Sequence, residues 1–225
     1  MISRDKNLKL RTQHIVADLK KIPTASISDA LDRLGISGFM SHEMRPTWGF
    51  SRIAGPALTV EDVPSTKVEG PMALLEAIDS ARPGDVIVRA VSDPRRKEIA
   101  FAGGLISRGA KNRSIEAMIL DGGVRDVDEI ESLKLPVFSR SIVPSTSPGR
   151  TRVKCINRRV TCAGVVVNPG DIIVGDTDGV VVIPKARLVE VYSMALAIDE
   201  VERKETKDLR RREPLAKVVR KYARV

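Results

Sequence analysis

The sequence predicts an α/β fold in one compact domain, with a parallel β-α-β-α-β part followed by an antiparallel part. Three strand-like runs at 83–91, 115–121 and 135–140 alternate with two helix-like segments, which is typical of parallel strands joined by crossover helices. After Pro144, four strand-like runs follow one another with no helix between them: RVKCIN, RVTCAGVVV, DIIVG and GVVVIP. The turn sequence DTDG (176–179) lies between the last two runs and predicts a hairpin.

Helices are predicted at both ends of the chain. Residues 8–21 place apolar side chains on one face and form an N-terminal helical segment, which we assign to 1–21. The α/β domain then covers 22–184, with short helices predicted from Thr24 to Leu34 and after Pro71, and a loop from Ile36 to Ser51 between them. The last segment, 185–225, is predicted to be a long charged helix interrupted at Pro214 and followed by a short basic tail.

Composition favours a soluble, cytoplasmic protein with no membrane contact. The chain has 225 residues, of which 42% are hydrophobic and 30% charged. No apolar run is long enough to span a bilayer, and the N-terminus lacks the apolar segment of a signal peptide. Cys155 and Cys162 form neither a disulfide framework nor a paired zinc-site spacing.

The net charge of +9 is concentrated at the two ends of the chain. Residues 202–225 carry ten Lys or Arg and four Asp or Glu, and residues 1–21 carry six and two, so the body of the chain is nearly neutral. Solvated helix faces explain such runs without a nucleic-acid partner. With only seven aromatic residues, the chain also has few side chains on which bases could stack.

Gly103 and Gly104 precede the predicted helix 105–113. The first N–H groups of a helix have no intrahelical acceptor, and the helix dipole favours an anion beside them. Glycine lacks the side chain that would keep a carboxylate or phosphate away. A plain tight turn explains an isolated glycine pair equally well. The pair therefore indicates an anion site only if neighbouring residues also point to one.

Arg125 and Asp126 follow the strand IEAMILD and a predicted turn at Gly122-Gly123. Asp126 could supply one oxygen to a hard divalent cation whose other ligands are water and substrate, and Arg125 could pair with a carboxylate or enolate oxygen. The alternatives are structural: a capping box between Asp126 and Glu129, and a surface ion pair for Arg125. Ligands collect at strand ends of open α/β sheets, which favours the functional interpretation.

Other chemistry-bearing residues are weaker candidates. His14 and His42 have no nearby Ser or Cys partner, so a nucleophilic triad is not indicated. Lys111 lies in a polar helix and is interpreted as a solvated lysine rather than a Schiff-base lysine. Three further carboxylates could support a metal site but are better explained by turns and caps: Asp29, Asp121 and Asp176.

Gly104, twenty further residues, Arg125-Asp126, two more residues and Glu129 resemble the G-x20-R-D-x2-E/D motif of the RraA-like proteins. The similarity continues in TASISDALDRLG (24–35), IAGPALTV, PGDVIV and VNPGDIIVGDTDGVVVIP (167–184). The family includes divalent-metal-dependent 4-hydroxy-4-methyl-2-oxoglutarate aldolases that are also active as oxaloacetate decarboxylases. A second branch comprises regulators that bind and inhibit ribonuclease E.

The resemblance implies a swivelling β/β/α-type domain assembled into trimers or hexamers with active sites between subunits. It implies that Arg125 contacts the keto or enolate oxygen of the substrate and that Asp126 ligates Mg²⁺ or Mn²⁺. It also implies that backbone amides at the helix start hold the substrate's 1-carboxylate, those of Gly104, Leu105, Ile106 and Ser107.

Two features depart from the aldolases that the sequence resembles. Gly104 stands where they usually have an acidic residue, and the C-terminal segment lacks their usual glycine- and tyrosine-containing end. Acid/base residues from a neighbouring subunit are therefore not assigned, although Glu200, Glu202 and Glu205 lie in the relevant region.

Because some of the regulators lack the aspartate after the arginine, the presence of Asp126 favours an enzyme. The predicted function is a metal-dependent lyase that cleaves 4-hydroxy-2-keto acids to pyruvate, and that could decarboxylate oxaloacetate, through a metal-stabilised pyruvate enolate. The alternative is a non-catalytic regulator of RNA processing that binds a ribonuclease or RNA. A third interpretation is a ring whose basic ends only mediate assembly.

Overall fold

The computed structural model describes residues 12–49 and 52–222. The strands are β1 (Arg45–Pro46), β2 (Ile53–Pro64), β3 (Val86–Val91), β4 (Ala117–Val124), β5 (Val137–Ile142), β6 (Thr151–Ile156), β7 (Val160–Cys162), β8 (Val165–Val167), β9 (Ile172–Asp176) and β10 (Gly179–Ile183). The helices are α1 (12–19 in its described part), α2 (Thr24–Arg33), α3 (Met72–Ser80), α4 (Gly104–Asn112), α5 (Val127–Ser132), α6 (Leu188–Arg210) and α7 (Leu215–Tyr222).

A mixed sheet in the order β1-β5-β4-β3-β2-β9-β10 forms the centre of the fold, with β6 pairing with β2 beside β9. The four central strands β2, β3, β4 and β5 are parallel to one another, and α4 and α5 lie in the connections between β3, β4 and β5. The predicted parallel part is therefore confirmed. Its carboxyl ends share one edge of the sheet, which is where the residues after β4 lie.

The antiparallel part is also confirmed. β9 and β10 form the predicted hairpin, in which Gly179 has a φ of +143° that favours glycine. The run RVTCAGVVV, which the sequence suggests is one strand, forms a second hairpin of β7 and β8. It turns at Ala163 and Gly164, both of which have positive φ.

Three apolar clusters separate the layers. One face of the parallel strands packs against α3, α4 and α5, with Ile78, Ala110 and Ile130 among its buried residues. The other face packs against the β7–β8 and β9–β10 hairpins. The third cluster joins α1, α2 and α6 to β9 and β10. The candidate site residues therefore lie on the layer of α4 and α5, away from α6.

The basic C-terminal segment differs from its prediction. Residues 215–222 form α7 where the sequence predicts a short basic tail. Pro214 immediately precedes this helix, and its carbonyl accepts the N–H groups of Lys217 and Val218 at 3.0 and 3.1 Å. Asp208 of α6 accepts hydrogen bonds from Lys221 Nζ at 2.7 Å and Tyr222 Oη at 3.0 Å. These contacts hold α7 on α6.

Smaller differences lie near the N-terminus. The predicted loop 36–51 contains the two-residue strand β1, which pairs with β5. The predicted helix 8–21 is observed over 12–19, and its residues 8–11 lie outside the described part of the chain. Within residues 12–49 and 52–222, every helix is too short or too polar to cross a membrane.

Candidate functional site

The candidate site begins at the glycine turn before α4. Gly103 is extended, with φ −150° and ψ −166°, and precedes the first helical residue, Gly104. The Gly104 N–H has no acceptor within its own helix and donates instead to Oδ2 of Asp126 at 2.9 Å. The segments that precede α4 and α5 are thus in direct contact, as the functional interpretation of the two motifs requires.

Asp126 adopts an unusual backbone conformation that aims its carboxylate at α4. Its φ of 57° and ψ of 43° lie in the left-handed region, which aspartate tolerates better than most residues. It occupies the N-cap position of α5 but its side chain makes no capping hydrogen bond there. The capping box with Glu129 that local sequence favours is therefore not formed, and strain of this kind is common at ligand sites.

Arg125 lies beside this carboxylate. Its Nε is 3.7 Å from Asp126 Oδ2, and its Nη1 donates to the carbonyl oxygen of Ser145 at 3.3 Å. The Arg125 and Asp126 side chains are 43% and 49% exposed, so both are accessible to a ligand in this chain. The Arg125 N–H donates to the Ala102 carbonyl at 3.0 Å, which fixes the backbone next to the glycine turn.

The glycine pair makes this close packing sterically feasible. A Cβ at Gly103 would lie 2.5 Å from Asp126 Oδ2, and a Cβ at Gly104 would lie 1.8 Å from Glu129 Oε2. Glu129 is held in that position by Arg108, whose Nη2 lies 2.7 Å from Glu129 Oε1. Any side chain at position 104 therefore requires the carboxylate end of Glu129 to move away from Arg108.

The first turn of α4 supplies fewer free donors than predicted. Ser107 donates its N–H to the Gly103 carbonyl at 3.0 Å, the first hydrogen bond of the helix, so this amide is engaged. Ser107 is also fully buried, and its Oγ has no hydrogen-bond partner among the described residues. The amides of Leu105 and Ile106 precede that first bond, so the helix itself provides no acceptor for them.

Gly122 and Gly123 do not form the predicted turn; they continue strand β4. A Cβ at Gly122 would lie 2.4 Å from the Phe101 ring, and one at Gly123 would lie 2.8 Å from the Ile99 carbonyl oxygen. The segment 99–101 therefore packs directly on β4, with an isolated parallel bridge between Ala100 and Gly123. Here glycine serves close packing rather than reversal of the chain.

The donor set fits a hydrated divalent cation. No group of three or more His, Cys, Asp or Glu side chains with metal-site geometry occurs in the described residues. Mg²⁺ commonly binds through one or two carboxylates while keeping several waters, so the exposed Asp126 suffices as a first protein ligand. Its Oδ2 is oriented by the Gly104 N–H, as metal-ligating carboxylates usually are.

The other carboxylate candidates have structural partners. Asp121 accepts the Ala163 N–H at 3.0 Å and a hydrogen bond from Arg140, and Asp176 accepts both the N–H and the hydroxyl of Thr24. Lys111 donates to the Lys134 carbonyl at 3.1 Å. Asp29 lies in α2, in the layer of α6 rather than that of α4.

The glutamates of the C-terminal region also belong to the other layer. Glu202 accepts a hydrogen bond from Ser26 Oγ at 2.9 Å, and Glu200 and Glu205 lie on the same helix, α6. Within one chain the buried face of α6 packs with α1 and α2.

Ser145 is a site residue that the sequence motifs do not identify. Besides accepting from Arg125, it accepts the Ala100 N–H on Oγ at 3.2 Å and donates the same hydroxyl to the Glu98 carbonyl. It thus joins the arginine to the segment that leads into the glycine turn. Its place shortly after the carboxyl end of β5 was the one available signal, since loops at that edge of a parallel sheet carry ligand sites.

Comparison with known proteins agrees with this architecture. The family model described as "RraA-like: Aldolase/RraA" matches residues 24–182. A protein of Halalkalibacterium halodurans named "Putative 4-hydroxy-4-methyl-2-oxoglutarate aldolase" is 37% identical over 181 residues, covering 80% of this chain and 81% of that protein.

Solved structures give the same result for the fold. An uncharacterized protein from Pseudomonas syringae superposes with a TM-score of 0.83 at 29% identity, covering 93% of this chain and 94% of that one. Streptomyces coelicolor RraAS2, described as an unusual member of the RNase ES inhibitor RraA protein family, superposes with a TM-score of 0.77 at 24% identity, covering 86% and 96%. At that identity the second likeness concerns the fold alone. With the matched model spanning most of the sequence, this chain belongs to the RraA-like family.

Proposed function

We propose that this chain is a divalent-metal-dependent carbon–carbon lyase that cleaves 4-hydroxy-2-keto acids of the 4-hydroxy-4-methyl-2-oxoglutarate type to pyruvate. Oxaloacetate decarboxylation would be a second activity of the same site, since both reactions leave a pyruvate enolate. The name of the 37%-identical H. halodurans relative supports this substrate class. The observation that carries the proposal is the convergence of the α4 start, Arg125 and Asp126 on one exposed spot.

The start of α4 would bind the 1-carboxylate of the substrate. The N–H groups of Leu105 and Ile106 and the positive end of the helix dipole favour an anion at this place. Arg125 adds a fixed positive charge on the same side and would contact the keto oxygen.

Arg125 would act most strongly as the bond breaks. Negative charge grows on the keto oxygen as the enolate forms, and a preorganised cation there lowers the barrier more than it aids ground-state binding. Its hydrogen bond to the Ser145 carbonyl and the N–H···O bond from its backbone to Ala102 hold it in place. It therefore requires little reorganisation during the reaction.

Asp126 would hold Mg²⁺ or Mn²⁺. When bound, such an ion supplies a Lewis acid that polarises the 2-keto group. Arg125 already balances the charge of Asp126, since its Nε lies 3.7 Å from Asp126 Oδ2. A divalent ion would add the further positive charge that favours two carboxylates at one place, that of Asp126 and that of the substrate.

The test is a coupled assay of pyruvate release with lactate dehydrogenase. Oxaloacetate and 4-hydroxy-2-keto acids are supplied with Mg²⁺, with Mn²⁺ or with EDTA. The proposal expects metal-dependent pyruvate release that EDTA abolishes. Activity that survives both EDTA and an Asp126→Asn substitution would refute the assignment.

We also propose that the active form is a homotrimer or hexamer with sites between subunits. The Leu105 side chain at the α4 start is 82% exposed, and Ile142 at the end of β5 is 64% exposed. Both lie at the sheet edge that carries the site, since Ile142 is in register with Val124, the residue before Arg125. A second copy that covers these side chains would also exclude water from the site.

A regulator of RNA processing is the second candidate, favoured by the basic C-terminal segment. Several of its cations are already paired within the chain: Lys217 with Glu213, Lys221 with Asp208 and Arg203 with Asp199. Such pairing reduces the charge available to phosphates. We therefore rank this function below the lyase.

A further inference from the structure

Arg89 and Asp62 form a buried ion pair beside the segment that leads into the glycine turn. Arg89 in β3 donates Nε and Nη2 to the two carboxylate oxygens of Asp62 in β2, at 2.6 and 2.8 Å. The two side chains are 1% and 0% exposed. Because apolar residues of similar volume often stabilise a core as well as a buried ion pair does, stability alone is a weak reason for this arrangement.

The third nitrogen of the guanidinium, Nη1, is directed at Phe101. Arg89 Nη1 donates to the Phe101 carbonyl oxygen, and Arg89 Cζ lies 5.0 Å from the centroid of the Phe101 ring. One side chain thus holds both the backbone and the ring of Phe101. Asp62 neutralises the charge and fixes the orientation of the planar fork.

This contact lies where β3 and β4 separate. Their ladder ends at the pair Arg89 and Leu120, and beyond it the segment 99–102 replaces β3 as the neighbour of β4. On the β4 side, Phe101 N–H donates to the Gly123 carbonyl and Gly123 N–H to the Ile99 carbonyl, both at 2.9 Å. Arg89 adds a side-chain contact to the Phe101 carbonyl of the same segment.

We propose that Arg89, oriented by Asp62, is a positioning residue for the glycine turn. By fixing the Phe101 carbonyl it sets the direction in which the chain reaches Gly103 and Gly104, and so where the α4 amides and the Asp126 contact lie. The consequence for substrate binding rests on the lyase function proposed above. The ordering of the segment 99–104 does not, and it can be measured separately.

The test replaces both members of the pair, in the variant Arg89→Met/Asp62→Leu, so that no unpaired charge is left in the core. Hydrogen exchange of the Phe101 and Gly104 amides is expected to become about tenfold faster, the effect of losing one charge-assisted hydrogen bond. KM for the keto acid is expected to rise about tenfold with a smaller change in kcat, the pattern for weakened binding of ground and transition states alike.

Val88→Ala is the matched control. Val88 neighbours Arg89 in β3 but faces the other core cluster, against the hairpins. Its truncation lowers the thermal midpoint without touching the segment 99–102. If the role of Arg89 were only structural, amide exchange at 99–104 would become faster in proportion to the loss of stability, and this proportion would be equal in the double variant and in Val88→Ala.

A second variant, Arg89→Lys, decides the matter should the double variant not fold. It keeps the positive charge beside Asp62 but lacks the fork that reaches the Phe101 carbonyl at the same time. Faster exchange confined to 99–104 supports the proposal, and unchanged exchange there in a folded variant overturns it. Because exchange needs no substrate, a wild-type chain without lyase activity refutes the proposed function and leaves this inference to be judged on its own.

Discussion

The Gly104 N–H donates to the Asp126 carboxylate at 2.9 Å, across 22 positions of sequence. This single hydrogen bond joins the starts of two helices that follow neighbouring parallel strands. It also orients the carboxylate toward α4 and away from its own helix, α5. Substitutions at either end of the contact should therefore affect both helix starts.

Asp126→Asn is expected to lower kcat/KM by about 10²–10³, as does removal of other preorganised charged or hydrogen-bonding groups. Asparagine tolerates the left-handed backbone of position 126, so the thermal midpoint should change little. The steady-state pyruvate assay at saturating Mg²⁺ measures the effect. Asp128→Asn is the control: Asp128 is an exposed carboxylate two positions further on, and this variant should retain full activity.

Gly104→Ala and Glu129→Ala are expected to be strongly non-additive. Alanine alone at position 104 forces Glu129 away from its position beside Arg108, and the loss of this exposed ion pair should cost about 0–1 kcal/mol. Once Glu129 is truncated, the same change should be neutral or stabilising by up to about 1 kcal/mol, because alanine favours a helix more than glycine does. Urea unfolding of the four proteins gives the coupling energy, and simple additivity would contradict the observed contact.

Cys155 and Cys162 are expected to react slowly with thiol reagents at pH 8. Burial, followed by the hydrogen bond to Glu61, raises the pKa of Cys155, and burial raises the pKa of the fully buried Cys162. Only the thiolate is nucleophilic, so the rate should increase as pH rises through the elevated pKa. Cys155 should react first because it is the more accessible of the two.

Two substitutions beside Cys155 should change that rate in opposite directions. Glu61→Gln removes a negative charge and lowers the pKa of the thiol, so the reaction at pH 8 becomes faster. Lys154→Met removes a cation that favours the thiolate and makes it slower. The rate of reaction with a chromogenic disulfide reagent, followed over time, measures both effects. Equal rates in the two variants would contradict the predicted opposite changes in the pKa of Cys155.

The contact between α6 and α7 is expected to be lost at low pH. Hydrogen bonds from Lys221 and then Tyr222 lower the pKa of Asp208 in the folded state. A carboxyl group with a lowered folded pKa stabilises the fold above its unfolded pKa, and this contribution disappears as pH falls through the folded value. Asp208→Asn at neutral pH should reproduce the effect as faster hydrogen exchange in 215–222, with the central sheet unchanged.

Nucleic-acid binding, the second candidate function, should depend on salt and on the C-terminal segment. Affinity for single-stranded RNA through Lys and Arg should fall steeply between about 50 and about 200 mM salt. Truncation after Arg212 removes α7 but keeps all of α6, and should remove this binding while leaving lyase activity in place. Fluorescence anisotropy measures the affinity, and absence of binding at low salt would exclude the RNA-binding form of the second function.

The parallel part of the fold was predictable because the buried strands are short apolar runs separated by helical periodicity. The sequence predicts that the two strand ends meet, but it does not predict the hydrogen bond between Gly104 and Asp126. Local sequence favoured a capping box at Asp126, and tertiary contact with α4 replaced it. The role of Gly122 could not be predicted, since it depends on Phe101 packing from a segment some twenty positions earlier.

The C-terminal helix shows a similar limit. The sequence predicts that Pro214 interrupts the long helix and that a basic tail follows. Instead Pro214 immediately precedes α7 and its carbonyl accepts the first hydrogen bonds of that helix, because proline geometry suits a helix start. The choice between the two depends on tertiary packing, and here Val218 of α7 is buried against the rest of the chain. Single-residue signals do not contain that information.

The anchoring of residues 99–102 by β4 and by Arg89 has a thermodynamic consequence for recognition. A loop that orders only around its ligand loses conformational entropy at that moment and weakens the observed affinity. Here the Gly123 and Arg89 contacts order the backbone during folding, so a ligand that binds at the start of α4 would meet donors already in place. Association in this corner of the molecule should therefore follow single-step kinetics, with no slow closing phase after encounter.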